Sequence, residues 1–86
     1  MNKGWSGPIE ETFFVTNHYI AGEFRNVEHF DTLYDAVKQA ERNSKSGLMI
    51  CSVHSTIENN PLETWCKGNR FDKHEDALDY AGVKHA

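Results

Sequence analysis

Two kinds of hydrophobic spacing divide the first half of the chain into strands and a helix. Residues 12–20 and 23–30 are rich in β-branched and aromatic side chains, and Ala21 and Gly22 between them are suited to a tight turn. Apolar residues then recur every three or four positions, as on one face of a helix, at Leu33, Ala36, Val37 and Ala40. The pattern predicts a β-hairpin followed by a helix, with Asp31 or Thr32 as the N-cap.

The second half predicts the same kinds of element. Residues 48–53 form an apolar run of strand length, Pro61 interrupts the chain, and residues 62–71 are predicted as a fourth strand with a bulge or bend at Gly68 and Asn69. Asp72 and Glu75 have the spacing of a capping box, which predicts the start of a second helix. Its expected core residues and C-cap are Ala77, Leu78, Ala81 and Gly82.

The two halves resemble each other at an offset of about 41 residues, as in a tandem repeat. Phe30 and Asp31 align with Phe71 and Asp72, and His74 takes the place of Leu33, where we expect a half-buried packing residue. The repeat predicts an α+β fold of two ββα units. Their four strands are expected to form one mainly antiparallel sheet with both helices on one face, leaving the other face open for a partner.

The length indicates a single domain over residues 1–86, because 86 residues support one modest core. Within it we expect a flexible arm at 1–10, a first unit at 12–43 and a second at 48–82. The arm contains Trp5, to which the pattern assigns no role. A composition with 38% hydrophobic and 26% charged residues is typical of a folded globular protein.

The formal net charge of -4 disfavours nucleic acid as a partner, because a negative domain repels a polyphosphate. No apolar run approaches the ~18 residues that span a bilayer, and the N-terminal arm lacks the features of a signal peptide. We therefore expect a cytoplasmic protein without a membrane partner. In that compartment Cys51 and Cys66 are expected to be free thiols.

Four residues have side chains suited to zinc, namely Cys51, His54, Cys66 and His74. However, Cys51 and His54 are three positions apart in a predicted strand, so their side chains should point to opposite faces. Neither cysteine lies in a nucleophile motif, and the carboxylates show no acid-base spacing. We predict no metal, no cofactor, no catalytic residue and no enzymatic activity.

Two clusters are candidate binding sites. The first is acidic and lies at the start of the second helix, where it is suited to attracting a basic protein surface: Asp72, Glu75, Asp76 and Asp79. The second mixes basic and aromatic side chains and suits single-stranded nucleic acid: Trp65, Lys67, Arg70, Phe71 and Lys73. The ordinary interpretation of either cluster is a solvated surface.

Part of the first half resembles a family of small podophage proteins that inhibit bacterial RNA polymerase. The resemblance rests on residues 13–16, 23–24, 31–36, 40–41 and 47–48, and it covers about half of the chain. It implies a protein that binds an enzyme of the bacterial host. The leading prediction is a small non-enzymatic protein-binding domain, a phage-encoded inhibitor or modulator acting in the host cytoplasm. The alternatives are a single-stranded nucleic-acid-binding domain and a zinc-stabilised module.

Overall fold

The computed structural model describes residues 10–23 and 25–83 as five strands and two helices. The strands are β1 (Phe13–Tyr19), β2 (Arg25–Phe30), β3 (Met49–Ser55), β4 (Glu63–Cys66) and β5 (Asn69–Phe71), and the helices are α1 (Leu33–Ser44) and α2 (His74–Ala81). The α+β class is confirmed. The predicted arm, with Trp5, lies almost entirely outside the described residues, as does Phe24.

All five strands belong to one antiparallel sheet in the order β2-β1-β3-β4-β5. The predicted first hairpin is confirmed, because β1 pairs with β2 from Phe13 opposite Phe30 to His18 opposite Arg25. The chain then passes through α1 and returns as β3 on the other side of β1. From there β3, β4 and β5 follow one another as a meander.

The two helices lie on opposite faces of the sheet, so the prediction that both cover one face is wrong. Ala36 and Ala40 of α1 are fully buried in a cluster that includes Cys51, whereas Ala77 of α2 is buried against Ile50. Ile50 and Cys51 are consecutive residues of β3, and consecutive side chains of a strand point to opposite faces. In the described part of the chain the helices do not contact each other. The architecture is therefore helix, sheet, helix.

The helices cover unequal shares of the sheet. α1 contacts all five strands, whereas α2 contacts β3, β4 and β5 but neither β1 nor β2. Part of the sheet on the α2 side is therefore left uncovered. This surface, called the open half-face below, carries Phe14, Thr16, His18, Arg25, Val27, His29 and His54. The predicted open face exists only as this half.

The two helices begin differently. Thr32 is the N-cap of α1, as predicted, and its side-chain oxygen accepts a hydrogen bond from the backbone N-H of Asp35 at 3.2 Å. The predicted capping by Asp72 is wrong. Lys73 is the N-cap of α2 without a side-chain cap bond, and the Asp72 carboxylate instead pairs with Arg70 at 2.8 Å. The predicted C-cap Gly82 is confirmed, with a left-handed φ of 79°.

The predicted fourth strand is in fact a hairpin of two strands, which brings the sheet to five. Lys67 and Gly68 form its two-residue turn with φ values of 52° and 79°, and positive φ at both positions is the mark of a type I′ turn. The turn lies against the end of α1, where the backbone N-H of Gly68 donates to Oγ of the buried Ser44 at 3.1 Å. A strict count of two ββα units therefore does not describe the chain, although the helices begin at the aligned residues Leu33 and His74.

Lys67 is the one non-glycine residue with positive φ in the described chain, so a substitution at this position can stabilise the turn. Asparagine tolerates the left-handed region better than lysine does, and Asn-Gly is the preferred pair for a type I′ turn. We expect Lys67→Asn to raise the free energy of unfolding by about 0.5 kcal/mol in urea titration. Gly68→Ala should lower it by about 1 kcal/mol. A loss of stability in the Lys67 variant would contradict the turn assignment.

A polar network lies between α1 and the first hairpin. Nδ2 of Asn17 donates to Oδ1 of Asn26 and to Oε1 of Glu28, each at 2.7 Å. Nδ2 of Asn43 on α1 donates to the same Glu28 oxygen at 2.9 Å and to Oδ1 of Asn17 at 3.1 Å. Asn17 is only 2% exposed, so its amide depends on these partners. The network joins α1 to β1 and β2 where apolar contacts end.

Among residues 10–23 and 25–83, neither helix has the length and apolar character required to cross a membrane.

Candidate functional site

A groove of about 460 Å³ lies where the open half-face meets the wall formed by α2. Its floor comes from β2, β1 and β3, and its wall includes His74 and Leu78 of α2 together with Pro61. The volume is within the range of about 300–1,000 Å³ that is usual for small-molecule sites. The groove is therefore large enough for a small ligand or for one or two side chains of a partner.

Three hydroxyl groups form a row across the sheet on the α2 side, and two of them, those of Thr16 and Ser52, line the groove. Thr16, Ser52 and Thr64 are direct cross-strand neighbours on β1, β3 and β4, so their side chains lie side by side. Oγ of Ser52 lies 3.3 Å from Oγ1 of Thr64. Antiparallel register brings the three together, although they are far apart in sequence.

Two histidines complete the row. Nε2 of His54 lies 3.1 Å from Oγ1 of Thr16. Nδ1 of His74 lies 3.2 Å from Oγ1 of Thr64 and 3.3 Å from Oγ of Ser52. His74 is therefore not the half-buried packing residue that the repeat predicted; it is exposed and hydrogen bonded to the sheet. In the described chain no protein group pairs with the second nitrogen of either ring, so each can bind a ligand.

An aromatic ladder lies beside the hydroxyl row. The rings of Phe14 and His54 stack in parallel, with centroids 4.7 Å apart and an interplanar angle of 5°. His29 contacts the other side of Phe14, with centroids 5.8 Å apart. The stack fixes the orientation of the His54 ring. It also occupies one face of Phe14 that a nucleic-acid base would need for stacking.

The groove has an unusual charge for this chain. The protein has 13 Asp and Glu residues, yet no carboxylate lines the groove, whereas Arg25, His18, His54 and His74 do. Arg25 is exposed and forms no ion pair with any other described residue. The groove is thus a concentration of cationic or protonatable groups in an acidic domain.

The surroundings of His54 favour its neutral form. Burial, and secondly the charge of His74 when protonated, lower the pKa of His54 below its ordinary value of 6.5. Neutral imidazole has one N-H donor and one acceptor nitrogen, whereas the protonated ring has two donors. The hydrogen-bonding capacity of the groove therefore changes below pH 6.5.

The residues of the predicted acidic cluster are all exposed, and none of them lines the groove. Asp72 pairs with Arg70 in the turn before α2. Glu75, Asp76 and Asp79 lie on α2, which buries Ala77 against the sheet. The acidic residues thus surround the α2 wall from outside, and their role in binding a partner stays a prediction.

The structure does not bring the predicted basic and aromatic cluster together on one surface. Trp65 packs against the core beneath α1, whereas Phe71 packs on the other side of the sheet with α2. Arg70 is already held by Glu63 and Asp72, at 3.1 Å and 2.8 Å. The two lysines are exposed: Lys67 in the turn of the second hairpin and Lys73 before α2. Because the two aromatic rings lie on opposite faces, they do not form a common platform for stacked bases.

The four predicted metal-ligand types are separated by the sheet. Cys51 is buried beneath α1, whereas His54, Cys66 and His74 lie on the α2 side, as strand alternation predicts for Cys51 and His54. Among the residues described here, no group of three or more histidine, cysteine or acidic side chains is arranged to hold a metal ion. Cys51 and Cys66 are free thiols on opposite faces of the sheet, so they are not placed to bond to each other.

Both thiols should be unreactive in the folded protein. Burial raises the pKa of Cys51 from 9.0 to about 12, with smaller contributions from the charges of Cys66 and Glu28, and burial also raises the pKa of Cys66. At about pH 8 we expect a disulfide reagent to modify the native protein at least about 100-fold more slowly than the unfolded protein. Rapid modification of the native protein would contradict the burial of both thiols.

The same pKa shift predicts a loss of stability in base. The folded-state pKa of Cys51 is raised, so its stabilising contribution is complete below pH 9.0 and is lost as pH rises from 9.0 towards about 12. The free energy of unfolding, measured in urea across this interval, should fall. Cys51→Ala should show a weaker fall than the natural sequence.

Comparison with known proteins adds no relative. No family model matches the chain, and no curated protein and no solved structure matches it. The resemblance of the first half to podophage inhibitors therefore stays a prediction. The function has to be argued from the geometry.

Sequence reasoning missed the groove, although one signal for it was present. Residues of β1 alternate between those beneath α1, such as Val15 and Asn17, and those on the open half-face, such as Thr16 and His18. Three histidines, at positions 18, 29 and 54, lie on predicted strands. The strand register places all three on one face of the sheet. The sequence without the register does not show that they share a surface.

Proposed function

We propose that this chain is a non-enzymatic protein-binding domain that acts by occupying a surface of its partner with the open half-face. The observation that supports this most directly is that α2 covers only β3, β4 and β5, so neither helix of the described chain lies over the rest of this face of the sheet. Val27 is 51% exposed there, and Phe14 is only half-buried. An uncovered surface with apolar and aromatic side chains is typical of an interaction site.

The edge of the sheet supports the same proposal. β2 is the outermost strand beside the open half-face, and it pairs only with β1. The outer edge of its six residues therefore presents backbone N-H and C=O groups to a partner. A partner segment that paired with this edge would extend the sheet and its uncovered face together.

We further propose that the partner belongs to the bacterial host and that the chain inhibits or modulates it. The support is the resemblance of the first half to podophage inhibitors, and the acidic residues around α2, which suit a partner with a basic surface. Nucleic acid is a less suitable ligand, because the net charge is -4 and the stacked rings of Phe14 and His54 cover each other.

Affinity capture from bacterial lysate with matched baits tests this proposal. Val27→Glu places a charge on the open half-face, whereas Tyr34→Glu places the same charge on α1, where Tyr34 is 71% exposed. We expect one stoichiometric partner with the natural sequence and with Tyr34→Glu, and its loss with Val27→Glu. The reverse pattern would place the contact on α1 and contradict the proposed surface.

Two further results bear on the proposal. Absence of any stoichiometric partner from the natural sequence would refute the protein-binding function itself. Asp76→Lys should slow capture at low salt and leave it nearly unchanged at high salt, since exposed charges act at long range only when screening is weak. An equal effect at both salt concentrations would assign Asp76 to the contact itself.

A further inference from the structure

We propose that the groove is a binding site for an anionic group, a phosphate or carboxylate carried on a ligand with an apolar part. This deepens the proposed function and rests on it in one respect: where the anion belongs to the partner, it is the group that the partner inserts into the groove. A free anionic metabolite would satisfy the same chemistry. The experiment below separates these sources.

The charges of the groove support an anionic ligand. Every charged or titratable side chain among its lining residues is cationic or becomes cationic on protonation: His18, Arg25, His54 and His74. Arg25 offers a guanidinium that no carboxylate of residues 10–23 and 25–83 pairs with, and its planar arrangement of donors matches the oxygens of a carboxylate or phosphate. A cationic ligand would find no carboxylate there to pair with.

The hydroxyl row positions the two imidazole rings for the same ligand. Thr16, Ser52 and Thr64 already hydrogen bond to His54 and His74, so the two rings are held beside one another over the floor. The second nitrogen of each ring remains to donate to an anion. His74 is also the first residue of α2, and the amino end of a helix carries partial positive charge.

Four of the other lining residues define the apolar part. Val27, Ile50, Pro61 and Leu78 contribute apolar surface around the polar floor. A ligand with an aromatic or aliphatic portion next to its anionic group would fill both regions. A partner that carries such a group within a basic surface would also complement the acidic residues of α2.

Binding of an anion must be linked to protonation of the groove. Burial and the nearby His74 disfavour the charged form of His54, and an anion opposes both effects. His18 and His74 face the groove with His54, while Arg25 stays charged throughout and no lining residue is acidic. The bound anion should therefore raise the pKa of His54, and acid should strengthen binding.

Titration of the isotope-labelled full chain with phenyl phosphate, followed by nuclear magnetic resonance, tests the proposal. We expect shifts confined to the groove and, for benzoate, whose charge does not change over this range, about tenfold tighter binding at about pH 5.5 than at about pH 7.5, as expected when one imidazole gains a proton. Benzoate should bind at the same residues and inorganic phosphate more weakly. Shifts centred on the basic end of α1, at Lys38, Arg42 and Lys45, or binding independent of pH, would overturn the proposal.

Matched variants separate the groove from the rest of the face. Arg25→Gln changes an exposed side chain and should weaken binding by about fivefold or more at both pH values. His54→Gln should weaken it mainly in acid, by about fivefold or more, and so reduce the pH dependence. His29→Gln lies on the same face outside the groove and should bind as the natural sequence does. If Arg25→Gln, folded by its amide spectrum, binds normally, the proposal fails.

Competition identifies the source of the anion. If phenyl phosphate displaces the captured partner, the anionic group belongs to that partner. If it binds in the groove without displacing the partner, the natural ligand of the groove is a free anion. The partner then contacts a different part of the open half-face. If it does not bind at all while capture still depends on Val27, the anion site is refuted and the protein-binding function stands.

Discussion

Replacing Val53 by alanine is expected to lower the free energy of unfolding by about 2–3 kcal/mol, since the substitution removes two methyl groups and leaves a cavity. Val53 is fully buried, faces Val15 across the β1-β3 pair and belongs to the core beneath α1. Ala36 and Ala40 pack in this core, and their short side chains cannot fill the cavity that the substitution leaves. Urea unfolding of the natural and variant proteins measures the difference.

Val27→Ala is the matched control for this experiment. It deletes the same two methyl groups from a residue that is 51% exposed on the edge strand β2. Its effect should stay below about 1 kcal/mol, because solvent already reaches the side chain. Equal losses in the two variants would mean that the core is not centred between α1 and β3.

Replacing Asn17 by valine should cost about 2–4 kcal/mol, because it removes the donor of two hydrogen bonds and the acceptor of a third in a buried position. Asn26 and Glu28 would lose the hydrogen bonds that the amide of Asn17 donates to them. The amide of Asn43 would lose its acceptor, the side-chain oxygen of Asn17. The part-buried carboxylate of Glu28 would have one hydrogen-bond donor fewer, which destabilises the folded state. The change in unfolding free energy is the measurement, and Asn59→Ala, in an exposed turn, should change it by less than about 0.5 kcal/mol.

A double variant distinguishes lost hydrogen bonds from poor packing. With Glu28→Val added, the carboxylate that needed the donor is gone, so the pair should cost less than the sum of the two single changes. Strict additivity would show that Asn17 and Glu28 do not act through each other. The network would then be a surface feature and not the polar part of the α1 interface.

Local spacing was enough to predict most elements but not their arrangement. The apolar stripe of α1 and the cap at Thr32 depend on neighbouring residues and were predicted correctly, apart from Leu33, which is 43% exposed. The side of the sheet taken by α2 depends on long-range packing. A signal was nevertheless present: consecutive buried residues such as Ile50 and Cys51 are typical of a strand covered on both faces.

The site was harder to predict than the fold. The acidic cluster could be recognised from the sequence, because its four residues lie within eight positions of the chain. The groove instead joins Thr16, Ser52 and His54, which only the strand register brings onto one surface. The turn at Lys67 and Gly68 was missed for a different reason: lysine rarely occupies a position with positive φ.

Sharing of β3 between two cores makes the folding of the two sequence halves interdependent. Cys51 and Val53 complete the cluster beneath α1, while Ile50 belongs to the cluster with α2. A fragment that stopped after α1 would lack β3, one of the strands on which α1 packs, and a fragment that began at β3 would lack β1, which pairs with β3. The repeated pattern along the chain is thus a resemblance between the two halves, and the halves are not two autonomous folding units. Loss of β3 would disrupt both core clusters.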